Sequence, residues 1–237
     1  MIDSSTKVEI QHVTRHCGNA VLGAVPYSEV YLMDCVAGLR HYPDNYFDLA
    51  VVDPPYGIGI DGQKQSINLN NPKANRKEHK FKGWDNDIPT NEYFAELWRV
   101  SKNQIIWGAN YFVEHLNKGT KGWIVWYKGQ EGLTMSDAEL AYSSFDCATR
   151  VVKINRVELL KDGTIHPTQK PIKLYDWIYA NYAKEGDLIL DTHCGSQASR
   201  IAADKAGLSF VGFEIDEEYF NAANKRFDNF KSQTRLF

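Results

Sequence analysis

The feature that most constrains this chain is a short apolar run that stops at two prolines. Residues 47–52 (FDLAVV) are apolar and partly β-branched, which is typical of a buried strand in a parallel sheet. Pro54 and Pro55 have no backbone N–H to donate, and Pro54 restrains Asp53 to an extended conformation. Residues 53–56 (DPPY) are therefore predicted to form a rigid loop at the carboxyl end of a strand. In open α/β sheets, ligands bind at that edge.

Further short apolar runs are separated by helical or irregular segments. The predicted strands include residues 29–33, 104–107, 123–126, 188–190 and 209–213, and the predicted helices include residues 111–116, 172–182 and 198–206. Thr90 is the predicted cap of a further amphipathic helix that extends to residue 98. This alternation predicts an α/β fold with a mostly parallel sheet and helices on both faces. The chain has 237 residues, so we predict one domain over residues 1–237.

Composition excludes several classes of protein. The net charge of −3 does not indicate nucleic-acid binding by the whole surface, so any DNA contact must rest on a local patch. The four cysteines lack CxxC spacing, which argues against a zinc site and a disulfide framework and predicts reduced thiols in a cytoplasmic protein. No apolar run approaches the roughly 18 residues that a membrane span needs.

Residues 57–87, directly after the rigid loop, contain several glycines and asparagines and almost no apolar periodicity. A segment of this length inside a compact domain is usually functional or disordered. Its excess of basic residues suits contact with phosphates, and a solvated flexible loop is the alternative. The candidate nucleic-acid-binding residues are Lys64, Lys73, Arg76, Lys77, Lys80 and Lys82.

A second ligand site is indicated by residues 188–214, which follow the order strand, loop, helix, strand and acid. Gly195 in the loop allows the backbone to approach a ligand, and Ser196 begins a helix whose first N–H groups are free. Glu214 ends the second strand, where a carboxylate can hold both hydroxyls of a ribose. The unit is typical of a mononucleotide-binding half. No GxGxxG motif follows the first strand, which argues against a dehydrogenase.

Three motifs together resemble the S-adenosylmethionine-dependent DNA amino-methyltransferases in their β arrangement. They are residues 53–56 (DPPY), residues 166–171 (HPTQKP) and the unit from Asp191 to Glu214, in that order. Residues 107–112 and 136–140 are also similar to phage and prophage adenine methylases. The resemblance implies a Rossmann-like methyltransferase fold in three layers, with a mixed seven-stranded sheet that contains one antiparallel strand.

The resemblance implies methyl transfer from S-adenosylmethionine to the N6 amine of adenine in double-stranded DNA. The lone pair of that amine is delocalised, and two fixed acceptors on its N–H groups free it for attack. In this family the acceptors correspond to the Asp53 carboxylate and the Pro54 carbonyl, while Tyr56 stacks on a base taken out of the duplex. The candidate catalytic residues are Asp53, Pro54, Pro55 and Tyr56. No metal is expected, because a sulfonium is already an activated leaving group.

The same resemblance implies where the cofactor binds. Residues 34–35 match a contact with the cofactor adenine, Thr168 and Lys170 lie near its methionine end, and Glu214 matches the ribose acid. The candidate cofactor-binding residues are Asp34, Cys35, His166, Thr168, Lys170, Asp191, Gly195, Ser196 and Glu214. Members of this family often form dimers, so a homodimer is a candidate assembly.

The cofactor loop departs from the usual family pattern, since Thr192, His193 and Gln197 replace a proline, an aromatic residue and a glycine. Gln197 adds a side chain where the backbone comes close to the ligand, so we expect it to bear on cofactor affinity. Gly195, Ser196 and the two acids are retained, and we predict that binding is retained.

Three alternatives use the same residues. Cytosine-N4 methylation needs the same machinery, although serine is more usual in place of Asp53. Methylation of RNA or of a protein glutamine amide also suits a polar-Pro-Pro-Tyr loop, with asparagine usual at that place for glutamine. A nucleic-acid-binding relic without activity would explain Gln197.

Overall fold

The computed structural model describes residues 27–62, 78, 80–132, 136–155, 158–159 and 163–234. The strands are β1 (Ser28–Leu32), β2 (Leu49–Val52), β3 (Gln104–Trp107), β4 (Ile124–Tyr127), β5 (Ala138–Ser143), β6 (Arg150–Lys153), β7 (Leu188–Asp191) and β8 (Ser209–Glu214). The helices are α1 (Cys35–Leu39), α2 (Asn91–Val100), α3 (Ile172–Tyr182), α4 (Ala198–Lys205) and α5 (Glu217–Thr234). In these ranges, no helix has the length and apolar character that crossing a membrane requires.

The strands of the described ranges form one eight-stranded sheet in the order β1-β8-β7-β2-β3-β5-β4-β6. β5 runs antiparallel to both β3 and β4, and the other neighbouring strands pair in parallel. The predicted mixed α/β sheet with one antiparallel strand is therefore confirmed. The predicted count of seven strands was wrong, because β6 adds to β4 as a parallel strand at the edge of the sheet.

Helices cover both faces of the sheet, as β2 illustrates. Leu49 and Val51 pack into a core with side chains of α3 and α4, whereas Ala50 and Val52 pack into a second core with α2. Successive strand residues point to opposite faces, so an uninterrupted apolar strand requires cover on both sides. The predicted three-layer arrangement is confirmed.

The start of α2 follows the capping signal of the sequence, whereas α4 begins at Ala198, two residues after the predicted start at Ser196. Thr90 accepts a hydrogen bond from the Tyr93 N–H at 3.3 Å and begins α2, as its position before an apolar periodic run predicts. The helix expected over residues 111–116 is replaced by two 3-10 turns, Ala109–Tyr111 and Val113–His115. These turns bring residues 108–111 back toward the end of β2.

The topology brings the predicted functional loops to one edge of the sheet. β2, β7 and β8 are parallel neighbours, so their carboxyl ends lie side by side. Asp53 follows β2, residues 192–197 follow β7, and Glu214 ends β8. The strand order therefore places the DPPY loop next to the mononucleotide-binding loop, although more than 130 residues separate them along the chain.

Candidate active site

A cavity of about 310 Å³ opens at this edge of the sheet. Small-molecule sites commonly have volumes of a few hundred cubic ångströms, so the cavity suits a ligand of nucleoside size. The predicted cofactor residues that line it are Asp34, Cys35, His166, Thr168, Lys170, Gly195, Ser196 and Glu214. Asp53 and Pro55 line the same cavity. The structure thus brings the two predicted sites together in one space.

The Asp53 carboxylate is held between a tyrosine and a lysine. The Tyr56 hydroxyl donates to Asp53 Oδ1 at 2.7 Å, and the Lys170 ammonium donates to Oδ2 at 2.5 Å. Burial raises the pKa of the Asp53 carboxyl, and the neighbouring Lys170 charge opposes that rise. Burial also raises the pKa of the Tyr56 hydroxyl well above its usual value, so that group remains a donor.

The Pro54 carbonyl, the second predicted acceptor, is next to this carboxylate in the chain. Pro54 is buried, and within the described ranges no donor reaches its carbonyl oxygen. A carbonyl oxygen without a donor can accept a hydrogen bond from a ligand. The Pro54 carbonyl thus keeps its accepting capacity next to the carboxylate, although Pro54 and Tyr56, unlike Asp53 and Pro55, are not among the residues that line the cavity.

The Tyr56 ring is fixed by contacts that the sequence did not reveal. It stacks on Tyr111 with a ring-centroid distance of 5.0 Å and an interplanar angle of 16°. Gly108 follows β3 with φ +67°, and a Cβ at this position would lie 2.0 Å from Cε1 of Tyr56. Gly108 is thus required both by its left-handed backbone and by the ring beside it. The sequence signals were a glycine directly after a strand and the similarity of residues 107–112 to adenine methylases, and neither indicated a contact with Tyr56.

We expect Gly108→Ala to displace the Tyr56 ring. The alanine would also hold a left-handed conformation, which costs about 1–2 kcal/mol for a residue with a Cβ. Misplacement of a positioned group by about 1 Å can lower a rate about 100-fold. We therefore expect a fall in kcat of at least about tenfold, measured by methyl-transfer kinetics. Gly119→Ala is a matched control, since a Cβ there meets nothing within 4 Å; equal losses in the two variants would contradict this role for Gly108.

The buried carboxylate of Asp85 supports the loop after the DPPY motif. It accepts hydrogen bonds from the backbone N–H groups of Tyr56 at 2.8 Å, Gly57 at 3.0 Å and Ile60 at 2.9 Å. Asp61 does the same for the backbone of Lys82 and its two following residues. Neither acid was predicted from the sequence, because an acidic residue inside a glycine-rich segment is expected to be exposed to solvent.

Glu214 is placed to receive the polar face of a nucleoside. Its Oε2 accepts a hydrogen bond from the Gly195 N–H at 2.8 Å, and its Oε1 accepts one from the Asp216 N–H at 2.9 Å. Each oxygen keeps a further lone pair for a ligand hydroxyl. Gly195 has φ +46°, which allows the backbone to pass close to the carboxylate. The donor and acceptor set therefore fits the ribose of an adenosyl group.

His193, to which the sequence assigned no role, lines the same cavity. Its Nδ1 is 2.9 Å from Thr192 Oγ1, and its Nε2 is 4.0 Å from Cys35 Sγ. Burial lowers the pKa of His193 to about 4, so the imidazole is neutral at physiological pH. The residue that replaces the usual aromatic side chain is thus an uncharged ring at the cavity wall.

Two predicted cofactor residues lie differently from expectation. The Asp191 carboxylate is buried away from the cavity, where it accepts hydrogen bonds from the His193 N–H at 3.1 Å and from the Ser199 hydroxyl. Asp191 therefore stabilises the loop after β7 through these hydrogen bonds, and it is not among the residues that line the cavity. Lys170 lines the cavity, but its ammonium is bound to Asp53 at the catalytic end.

The predicted basic segment is only partly described. Lys64, Lys73, Arg76 and Lys77 lie outside the described residues, and Lys80 is exposed. Lys82 does not offer a free charge to a phosphate, because its ammonium is 2.7 Å from Asp216 and 4.1 Å from the centre of the Tyr219 ring. The sequence did not indicate this pairing, because the acidic partner of Lys82 is distant in the chain.

The Gln197 side chain turns away from the ligand space. It is fully buried, donates to Asn224 at 3.0 Å and accepts from Arg200 at 2.9 Å. Its φ of +54° explains why a glycine suits this position. The Gln197 side chain therefore does not enter the space expected for the cofactor. The structure gives no reason to expect that Gln197 weakens cofactor binding.

We expect Gln197→Ala to leave cofactor affinity largely unchanged and to lower the free energy of unfolding by about 1–3 kcal/mol. The loss follows from the buried hydrogen bonds to Asn224 and Arg200. Calorimetry with S-adenosylhomocysteine and urea denaturation measure the two quantities. A large fall in affinity at unchanged stability would place the side chain at the ligand after all.

Comparisons with known proteins agree with this geometry. A family described as DNA methylase matches residues 68–225. The chain is 23% identical over 240 residues to the Type II methyltransferase M.HpaI of Haemophilus parainfluenzae, covering 83% of this chain and 73% of that relative. A solved structure of the M1.HpyAVI–SAM complex has a TM-score of 0.58 and 18% identity, covering 85% of this chain and 99% of that one. The PvuII DNA methyltransferase (cytosine-N4-specific) has a TM-score of 0.58 and 12% identity, covering 86% of this chain and 87% of that one.

Proposed function

Since the chain belongs to the DNA methylase family, we propose that it transfers a methyl group from S-adenosylmethionine to the N6 amine of adenine in double-stranded DNA. S-adenosylmethionine-dependent methylation of DNA is the activity of this family, and the choice of adenine is our own proposal. One observation carries it: Glu214 and Asp53 line the same cavity, so a nucleoside held at one end extends toward a carboxylate at the other.

We assign the cofactor end of the cavity to Glu214, Gly195 and the residues around them. Bound S-adenosylmethionine supplies an electrophilic methyl group on a sulfonium. Glu214 would accept hydrogen bonds from the ribose hydroxyls through the lone pairs that its backbone partners leave free. Asp34, Cys35 and His193 line the wall beside it.

We assign the reacting end to the DPPY loop. The Asp53 carboxylate and the Pro54 carbonyl would each accept a hydrogen bond from one N–H of the adenine amine. These two bonds would free the nitrogen lone pair to attack the methyl carbon, with S-adenosylhomocysteine as the leaving group. The Tyr56 hydroxyl would yield its place on Asp53 Oδ1 to the amine. Its ring, supported by Tyr111, then offers a face on which the extruded base stacks.

The preference for adenine over cytosine rests on Asp53. Acceptors of this kind serve either exocyclic amine, and the PvuII enzyme with the same fold is cytosine-N4-specific. Aspartate is the usual residue of the adenine-N6 methylases that this chain resembles. Lys64, Lys73, Arg76, Lys77 and the exposed Lys80 remain proposed phosphate contacts, and a homodimer remains a proposed assembly.

Mass spectrometry of nucleosides tests the proposal. Unmethylated genomic DNA is incubated with the protein and S-adenosylmethionine and is then digested. We expect N6-methyladenine to accumulate with time and with protein concentration. N4-methylcytosine in its place would keep the mechanism and change the base, whereas unmodified nucleosides together with no calorimetric heat from S-adenosylhomocysteine would favour a relic without activity.

A further inference from the structure

Four charged side chains alternate in sign from the catalytic loop to Lys128, which directly follows β4. The Lys170 ammonium is 2.5 Å from Asp53 and 3.1 Å from Glu139, and Glu139 is also paired with Lys128. The Lys170 side chain is 3% exposed, while those of Lys128 and Glu139 are 13% and 23% exposed. Partly buried charges that are paired on both sides interact more strongly than exposed ones.

The Lys170 ammonium has no donor left for another partner. An ammonium carries three N–H donors, and three acceptors surround this one: Asp53, Glu139 and the Tyr56 hydroxyl at 3.3 Å. The lysine also lies over the Trp107 ring, 5.3 Å from its centre, which closes that side to water. All three donors of Lys170 are therefore used by Asp53 and its neighbours at the reacting end of the cavity.

Glu139 determines how much of the Lys170 charge Asp53 receives. Burial alone would raise the pKa of Glu139, yet the Lys170 and Lys128 ammoniums lower it, so the side chain is ionised. Burial works against the charge on Lys170, but the two carboxylates raise its pKa and keep it protonated. A single cation shared by two anions neutralises neither of them fully.

We propose that Lys170, Glu139 and Lys128 are positioning residues: Lys170 keeps the Asp53 carboxylate ionised and oriented, whereas Glu139, held by Lys128, keeps that carboxylate able to accept a hydrogen bond from the target amine. Lys170 fixes Oδ2 and leaves Oδ1 toward the Tyr56 hydroxyl, the place that the amine would take. Glu139 draws part of the ammonium charge away from Asp53, which keeps that carboxylate a strong acceptor. Lys128, the residue directly after β4, holds Glu139 in this role through its ion pair.

The proposal predicts opposite changes in Asp53 for two substitutions. In Lys170→Met, Asp53 loses its cation and faces Glu139 in a buried site, so the Asp53 pKa rises. In Glu139→Gln, the like charge disappears and Lys170 turns wholly to Asp53, so the Asp53 pKa falls. A role in packing alone would not give opposite signs.

Other ionisable groups around Asp53 are unchanged in both variants. They come from each element packed against the carboxylate and are Tyr56, Tyr93, Tyr175 and Asp191. Burial raises the pKa of each of the three tyrosines well above its usual value, so none of them titrates together with Asp53. Burial also raises the pKa of Asp191 to about 7, and its signal is identified separately in the experiment below.

The test is a carboxyl-carbon NMR titration of the whole protein with labelled aspartate, in which Asp53→Asn and Asp191→Asn identify the two signals. Lys170→Met is expected to move the Asp53 midpoint up and Glu139→Gln to move it down. Lys121→Met and Asp146→Asn, which alter an exposed ion pair, are matched controls and should move nothing. Glu139→Gln preserves size and keeps one acceptor oxygen for the two ammonium groups, so it remains informative even if Lys170→Met does not fold.

An unchanged Asp53 midpoint in Glu139→Gln, or shifts of the same sign in both variants, would overturn the proposal. Loss of S-adenosylhomocysteine affinity in Lys170→Met without a shift would assign this lysine to the methionine end of the cofactor. The consequence for catalysis rests on the proposed methyl transfer, but the titration needs neither DNA nor turnover. If the shifts occur and no methylated nucleoside forms, the proposed function fails while the positioning chain stands.

Discussion

Asp53→Ala is expected to lower kcat for methyl transfer by about 1000-fold or more while leaving the affinity for S-adenosylhomocysteine largely intact. The carboxylate accepts a hydrogen bond that strengthens as the amine becomes a nucleophile, so its removal acts mainly on the transition state. Single-turnover kinetics at saturating DNA and cofactor measure the first quantity, and calorimetry measures the second.

The Asp53 variant keeps its main charged neighbour paired and has one matched control. Lys170 keeps Glu139 at 3.1 Å, so the substitution does not leave the buried ammonium without a partner. Asp146→Asn removes a carboxylate from an exposed ion pair and should change neither quantity. Loss of cofactor affinity with turnover preserved at saturation would reverse the role assigned to Asp53.

Asp85→Ala is expected to disrupt the catalytic loop without touching the reacting groups. Its carboxylate is 1% exposed and serves three backbone N–H groups, and each buried donor left without an acceptor costs about 1–3 kcal/mol. We expect the free energy of unfolding to fall by at least about 3 kcal/mol. Because the loop carries Tyr56, we also expect kcat to fall about 100-fold. Urea denaturation and methyl-transfer kinetics measure the two effects.

A graded series separates this role from a general effect of charge. In Asp85→Asn, the amide oxygen can still accept from Tyr56 and Gly57, while the amide nitrogen faces the N–H of Ile60. The loss should therefore be smaller than in the alanine variant. Asp87→Ala alters an exposed acid two residues away and should behave as the native protein does. Equal losses at positions 85 and 87 would contradict the structural role of Asp85.

Most elements of the fold could be predicted from the sequence because their signals are local. Residues 104–107 and 172–182 were predicted within their observed bounds, since short apolar runs and proline-bounded helix starts depend on neighbours in the chain. The edge position of β6 could not be predicted in this way. Its pairing with β4 is a contact between strands, and periodicity within one strand carries no information about its neighbour.

In the site, too, residues in local motifs were predicted, whereas residues that act through distant partners were not. Residues 53–56 and Glu214 were found from motifs, and the structure places Asp53, Pro55 and Glu214 at one cavity. Asp85 and Glu139 were missed because their roles depend on donors brought from other parts of the chain. Lys170 was recognised, but its partner was not, since residues 53 and 170 meet only through the order of the sheet.

A structure with bound S-adenosylhomocysteine tests most directly whether one cavity serves both the cofactor and the reacting amine. Our account predicts the ribose hydroxyls on the Glu214 carboxylate and the sulfur facing Asp53 in the same cavity. The side chain of Gln197 should remain on Asn224 and Arg200. A ligand bound with its sulfur turned away from Asp53, or bound outside this cavity, would contradict the account.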